Sequence, residues 1–148
     1  MKTWTKDIVI NAPIEKIWQL FDGNLEDMQK IMPQVVANEV IHETEDKVGS
    51  IHRQSYREGK RIMEYDVKVL EYENNPEIKK LKITFNLANM FDITAAYELK
   101  RLEENKTYFK YTTTNNPLKW FIKIMLKFAS DKVVIQFVDR VKRVAESK

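Results

Sequence analysis

The chain contains no cysteine in its 148 residues. That absence excludes disulfide staples, thiol nucleophiles and thiolate metal sites together, and it fits a reducing compartment. Histidine is scarce as well, with only His42 and His52 present. Two histidines, without cysteine or a carboxylate cluster beside them, predict no zinc or iron site. The three glycines build no phosphate loop or dinucleotide fingerprint, and no G-x-S-x-G elbow is present. Neither sign of charge dominates: 25 basic and 22 acidic side chains leave a net charge of +3. The basic residues are spread along the chain and no helix-turn-helix appears, so no nucleic-acid partner is expected. Long hydrophobic runs are missing too. The most apolar stretch, residues 118–128, spans eleven residues and carries three lysines, well short of the roughly 20 a membrane-spanning helix needs. The N-terminus lacks the apolar core of a signal peptide, and the expected location is the cytoplasm.

What is there is an ordinary globular composition, 43% apolar and 32% charged. It suits one domain, residues 1–148, large enough for a sizeable core. Trp4 to Ile10 alternates and reads as a strand. After Asn11-Ala12-Pro13, Ile14, Ile17, Trp18 and Phe21 follow at helical spacing, and Asp22-Gly23 ends that helix. Trp18 lies in its apolar stripe and reads as structural. Asn24 is a good N-cap for a second short helix, with Glu26 and Asp27 in its first turn and Pro33 at its end. Leu25, Met28, Ile31 and Met32 form that helix's apolar side.

From Val35 to Thr114 the period becomes two. Strands are expected over Val35–Thr44, Ser50–Glu58, Ile62–Tyr72, Ile78–Leu87, Phe91–Leu102 and Thr107–Thr114. Short connections make sequential neighbours antiparallel. A sheet with one apolar face must be covered on that face. The element that can do so is the C-terminal segment, read as one helix from Pro117 to about Glu146. Ile122, Leu126, Val133, Phe137, Val141 and Val144 form its seam at 100° per residue. Trp120, Phe121, Ile124, Met125 and Phe128 fall outside the seam, beside the lysine stripe of Lys119, Lys123 and Lys127. This surplus is read, in order of preference, as a lid set off by a kink near Ala129-Ser130-Asp131, as a surface covered by the short helices or a second subunit, or as a membrane contact.

Ile8-Val9-Ile10-Asn11-Ala12-Pro13 followed by Ile14–Trp18, then Leu25–Pro33, Val48-Gly49-Ser50 and Val141–Glu146 together resemble the START-like, or SRPBCC, helix-grip superfamily. The resemblance covers nearly the whole chain. It implies an α+β fold: a curved antiparallel sheet of about seven strands, two short helices after strand 1, and a long C-terminal helix over the sheet. It also implies a cavity between sheet and helix.

Alternation alone leaves two orientations open for Ser50–Glu58. The resemblance places His52, Gln54 and Tyr56 on the cavity side. Tyr65, Phe85, Tyr97, Phe109 and Tyr111 sit on inward parity of successive strands, where core packing and a pocket wall both fit. The reading for the site is hydrogen bonding by His52, Gln54, Tyr56 and Tyr65, with walls from Phe85, Tyr97, Tyr111, Trp120 and Ile124. No catalytic residue, metal or cofactor is assigned. The expected partner is a small, largely apolar molecule, carried or sensed. The alternatives are a polyketide cyclase or aromatase-like enzyme using the same cavity, and a lipid-carrying or partner-binding adaptor acting through Trp120 and Phe128. Peripheral membrane contact and a homodimer stay open.

Overall fold

The computed structural model of the chain describes residues 1–120 and 130–147. Strand β1 (Lys2–Ile10) leads into α1 (Ile14–Asp22) and α2 (Leu25–Ile31). Pro13, extended at φ −63° and ψ 144°, stands directly before α1. Asn24 caps α2 through its side-chain oxygen, which accepts the Asp27 N–H at 2.9 Å. Gly23 lets the two helices follow each other so closely. A Cβ there would lie 2.3 Å from the Gln19 carbonyl oxygen and 2.7 Å from an Asp27 carboxylate oxygen.

Six strands follow: β2 (Val35–His42), β3 (Ile51–Glu58), β4 (Arg61–Asn74), β5 (Ile78–Leu87), β6 (Phe91–Glu103) and β7 (Lys106–Pro117). They form one curved antiparallel sheet in the order β1-β7-β6-β5-β4-β3-β2. Strands β2 to β7 run as a meander, and β1 joins the far edge with Ile8 opposite Phe109 and Ile10 opposite Thr107. Helices α1 and α2 thus carry the chain from one edge of the sheet to the other.

The last described helix is α3 (Lys132–Glu146). The expected helix start at Pro117 is corrected here. Asn115, Asn116 and Pro117 continue β7 opposite Ile93, Asp92 and Phe91, and the Leu118 N–H donates to the Met90 carbonyl at 2.9 Å. A proline's fixed φ suits an extended end as well as a helical start. Ser130 and Asp131 are not helical, so α3 begins its own register at Lys132. The expected seam shifts accordingly: Val134, Val138, Val141 and Ala145 are buried, whereas Val133 is 74% exposed. Phe137 and Val144 pack partly against the core. The readings for Phe121, Ile122, Lys123, Ile124, Met125, Leu126, Lys127, Phe128 and Ala129 lie outside the described residues. No described helix is long and apolar enough to cross a membrane.

The core sits where α1 and α3 meet the β1–β7–β6 half of the sheet. Ile10, Ile17, Leu99, Phe109, Val138 and Val141 are almost wholly buried. Full burial of each such side chain contributes about 1.5–3 kcal/mol. Phe21 joins the layers, its ring 4.6 Å from that of Tyr97 and 5.7 Å from that of Phe109. Trp18 meets Tyr72 edge to face at 5.7 Å. The buried Lys79 ammonium beside Trp18 is paired with Glu15 and bonded to Asn74.

Phe109→Ala is expected to lower stability by about 3–5 kcal/mol in urea unfolding. Val133→Ala, on the exposed side of α3, is expected to change it by less than about 0.5 kcal/mol. Comparable losses at both positions would disprove the seam described above.

Candidate functional site

Residues directly opposite in an antiparallel pair share a face of the sheet. His52 lies opposite Val67, and Gln54 opposite Tyr65. Val67 is buried on the concave face, so His52 and Gln54 point to that face as well. Strand β4 carries a bulge between Val69 and Glu71. It shifts the parity by one residue, and Tyr72 consequently comes inward opposite Leu81. The loop between β2 and β3 is tied to β4 from both sides: the Gly49 N–H donates to the Val69 carbonyl at 2.8 Å, and the Val69 N–H to the Ser50 carbonyl at 2.9 Å. The loop's left-handed residues, Lys47 at φ 74° and Gly49 at φ 86°, fold it back over the concave face.

Between this loop, the α1–α2 turn and strands β3 to β6 lies a cavity of about 310 Å³. Its floor is apolar, from Val67, Val69, Leu81 and Ile83 on the sheet and Phe21, Met28 and Met32 on the helical side. Its polar groups are Asn38, His52 and Gln54 on β2 and β3, Ser50 just before β3, Tyr72 and Tyr97, and a rim of Asp22, Glu43 and Lys47. A second hollow of about 370 Å³ lies on the outer face of the sheet, among Lys80, Lys82, Glu98, Thr94 and Thr112. Its walls are side chains that already hydrate well, so an apolar ligand would gain little there.

The polar groups inside are only partly satisfied. Asn38 Nδ2 and His52 Nδ1 are 3.5 Å apart. Asn38 Oδ1 is buried and has no partner among the described residues. Gln54 donates to the Met28 sulfur at 3.7 Å and accepts a long bond of 3.5 Å from the Tyr65 hydroxyl. Burial pushes the Tyr65 phenol up to about 12 and the Tyr97 phenol well above its ordinary value. Tyr72 donates to Asp22 Oδ2 at 2.8 Å; burial first, and the Asp22 carboxylate second, hold its phenol at about 12. All three therefore stay neutral donors near neutral pH.

Of the residues singled out from sequence, His52, Gln54 and Tyr97 line the cavity. Tyr65 and Phe85 stack on each other at 4.8 Å next to Gln54. Tyr111 stacks against Tyr97 at 5.4 Å and meets Phe137 at 4.8 Å. Tyr56 donates to Gln34 at 2.6 Å and is not among the described lining residues. Trp120 is 77% exposed, and Ile124 lies outside the described residues. Sequence reasoning missed Tyr72, Asn38 and the rim of Asp22, Glu43 and Lys47. The broken alternation at Val69-Leu70-Glu71-Tyr72 is the signal that could have found Tyr72.

Neither a protein-family model nor a curated protein matches the sequence. Solved structures do resemble the fold. A START superfamily protein from Mycobacterium smegmatis superposes with a TM-score of 0.75 at 12% identity, over 97% of each chain. The Zhui aromatase/cyclase from Streptomyces sp. R1128 does so with a TM-score of 0.74 at 13% identity, over 98% of this chain and 93% of that one. The di-domain ARO/CYC BexL from the BE-7585A biosynthetic pathway gives a TM-score of 0.72 at 11% identity; 99% of this chain is covered, spanning 47% of that protein, about half its length. Identities this low establish the fold alone. It is the START-like helix-grip fold.

A phenol whose folded value is raised contributes stability that is complete below its unfolded value and is lost as pH rises through the folded one. Stability is therefore expected to fall between about pH 10 and pH 12, where Tyr65 ionises. Urea midpoints measured across that range check this, and Tyr65→Phe should show a shallower fall. An identical slope in that variant would refute the assignment.

Proposed function

We propose that this protein binds a small, largely apolar molecule in the cavity between the α1–α2 turn and the sheet, as a carrier or a sensor. The observation that carries the reading is the cavity's division into an apolar floor of Val67, Val69, Leu81, Ile83, Met28 and Met32 and a small polar set beside it. Ligand sites characteristically combine an apolar lining with a few placed polar groups. The two methionines add walls that adapt to ligand shape. Asn38 Oδ1 supports the reading too, because a buried acceptor without a partner costs about 1–3 kcal/mol unless a donor is supplied. In this reading His52, Gln54 and the Tyr97 hydroxyl orient the polar end. Tyr65, Phe85 and Tyr111 support the walls from behind.

A second reading makes the same cavity an active site of the aromatase/cyclase kind, the activity named for two of the similar structures. What favours it is His52, an imidazole inside the cavity next to the Asn38 amide. Such a group can move a proton at a bound substrate.

Fluorescence titration with N-phenyl-1-naphthylamine, an uncharged apolar probe, tests the binding reading. Ile83→Trp places bulk in the cavity and is expected to weaken the probe's affinity at least about tenfold, with a modest stability cost of about 1–3 kcal/mol. Lys82→Trp, filling the outer hollow, is expected to leave the affinity within about twofold. Loss of binding in the second variant and not the first would move the site to the outer face. For the enzyme reading, His52→Ala is expected to abolish turnover of an identified substrate and keep probe affinity; full turnover in that variant would exclude it.

A further inference from the structure

We infer that the cavity selects a ligand whose polar end is a positively charged amine, and disfavours a carboxylate of the same shape. The inference deepens the binding reading above and rests on it. Among the described lining residues the ionisable groups are Asp22, Glu43, Lys47 and His52, together with the phenols of Tyr72 and Tyr97. Lys47 is the one lysine or arginine among them, and it is engaged: its ammonium pairs with the Glu43 carboxylate four residues earlier. That pairing holds the Glu43 carboxyl below its ordinary value and the Lys47 ammonium above its own, so both are charged near neutral pH. Asp22 forms no direct ion pair among the described residues, although its charge also reaches the Lys47 ammonium. One of its oxygens accepts the Tyr72 hydroxyl at 2.8 Å, and the other has no partner among the described residues. Of the three charged rim residues, two are carboxylates and one is an ammonium, so the described rim carries one formal negative charge in excess.

The consequence for a ligand follows from where the apolar floor lies. A molecule whose tail rests on Val69, Leu81 and Ile83 has its head held near the polar rim. An ammonium there meets the open oxygen of Asp22. It also lies near the aromatic side chains of Phe21, Tyr72 and Tyr97, which line the same cavity. Among the described lining residues, a carboxylate there meets two carboxylates and a lysine already paired with one of them. The Tyr72 and Tyr97 hydroxyls can bond to either kind of head and do not discriminate. Asp22, Glu43 and Lys47 are exposed or partly so. Their effect is therefore screened, and the preference should be several-fold and weaken with salt.

The test is calorimetric titration at pH 8 and low ionic strength with decylamine, decanol and decanoate, each below its micellar concentration. Expected affinities fall in that order, the amine about fivefold above the alcohol, with the gap narrowing at 0.5 M salt. Asp22→Asn should bring amine and alcohol level. Lys47→Asn removes the paired cation with a residue that tolerates the left-handed backbone at that position. It should widen the preference for the amine and weaken decanoate further. Decanoate binding as tightly as decylamine would overturn the inference and leave the cavity reading intact; so would Lys47→Asn strengthening neither the preference nor the discrimination. If none of the three binds, and N-phenyl-1-naphthylamine does not either, the cavity reading itself fails and the inference falls with it.

Discussion

The packing of Phe21 is the contact on which the rest of the molecule depends. Its ring closes on Tyr97 and Phe109 of the sheet and on Phe137 of α3, 6.5 Å away. That one side chain pins the end of α1 to both layers. Asp22, the last residue of α1, and Gly23 after it form part of the cavity rim. Below them α1 packs on β6, and α3 lies along β1 and β7. These contacts fill one half of the concave face. The other half, over β3 to β5, buries Val67 and Val69 but leaves inward side chains such as His52, Gln54, Ile83 and Phe85 only partly buried. The cavity is a result of this unequal coverage. Among the described residues, the helices that bury the core on one side leave the apolar sheet less fully covered on the other.

The polarity of the cavity follows from a different constraint. The loop between β2 and β3 is bonded to β4 at Val69, so it cannot swing away without breaking backbone bonds. It carries Glu43 and Lys47 to a place opposite Asp22, about twenty residues earlier in the chain. The Thr44 side chain and backbone bond to Asp46, Val48 and Ser50, which holds the turn in shape. Polar groups near an apolar floor are costly unless partnered. Here most are partnered by neighbours and a few are not, and the unpartnered ones face or adjoin the cavity. In the binding reading proposed above, the apolar part would discriminate a ligand by shape and the polar part by charge and hydrogen bonding.

Much of the architecture was legible before any coordinates. Strand alternation in residues 78–87 and 91–102 identified the buried parity, since a period of two records which face meets the core. The Asn24 cap and the helix of Ile14, Ile17, Trp18 and Phe21 are where the spacing placed them. The order of elements was enough to suggest the helix-grip arrangement. Less could be said of residues 50–58, where both parities carry polar side chains. Only the pairing of His52 with Val67 and Gln54 with Tyr65 resolves their orientation. Val133 was misplaced for a related reason: the apolar phase of residues 118–128 was extended across a break at Ser130 and Asp131, where helical register is not inherited.

By itself, then, the sequence determined the local elements, the side of each regular strand that is buried, and the absence of thiol chemistry, because each of these depends on neighbours in the chain or on composition. The tertiary structure alone decided what forms the cavity and its rim. Asp22 at the end of α1 and Glu43 and Lys47 in the β2–β3 loop are exposed or partly exposed polar residues with no periodicity to mark them, and Tyr72 comes inward only because a bulge at β4 shifts the parity. Contacts between residues far apart in sequence leave no periodic trace in it. They arise when α1 is seated by Phe21 and the β2–β3 loop is bonded back to the sheet.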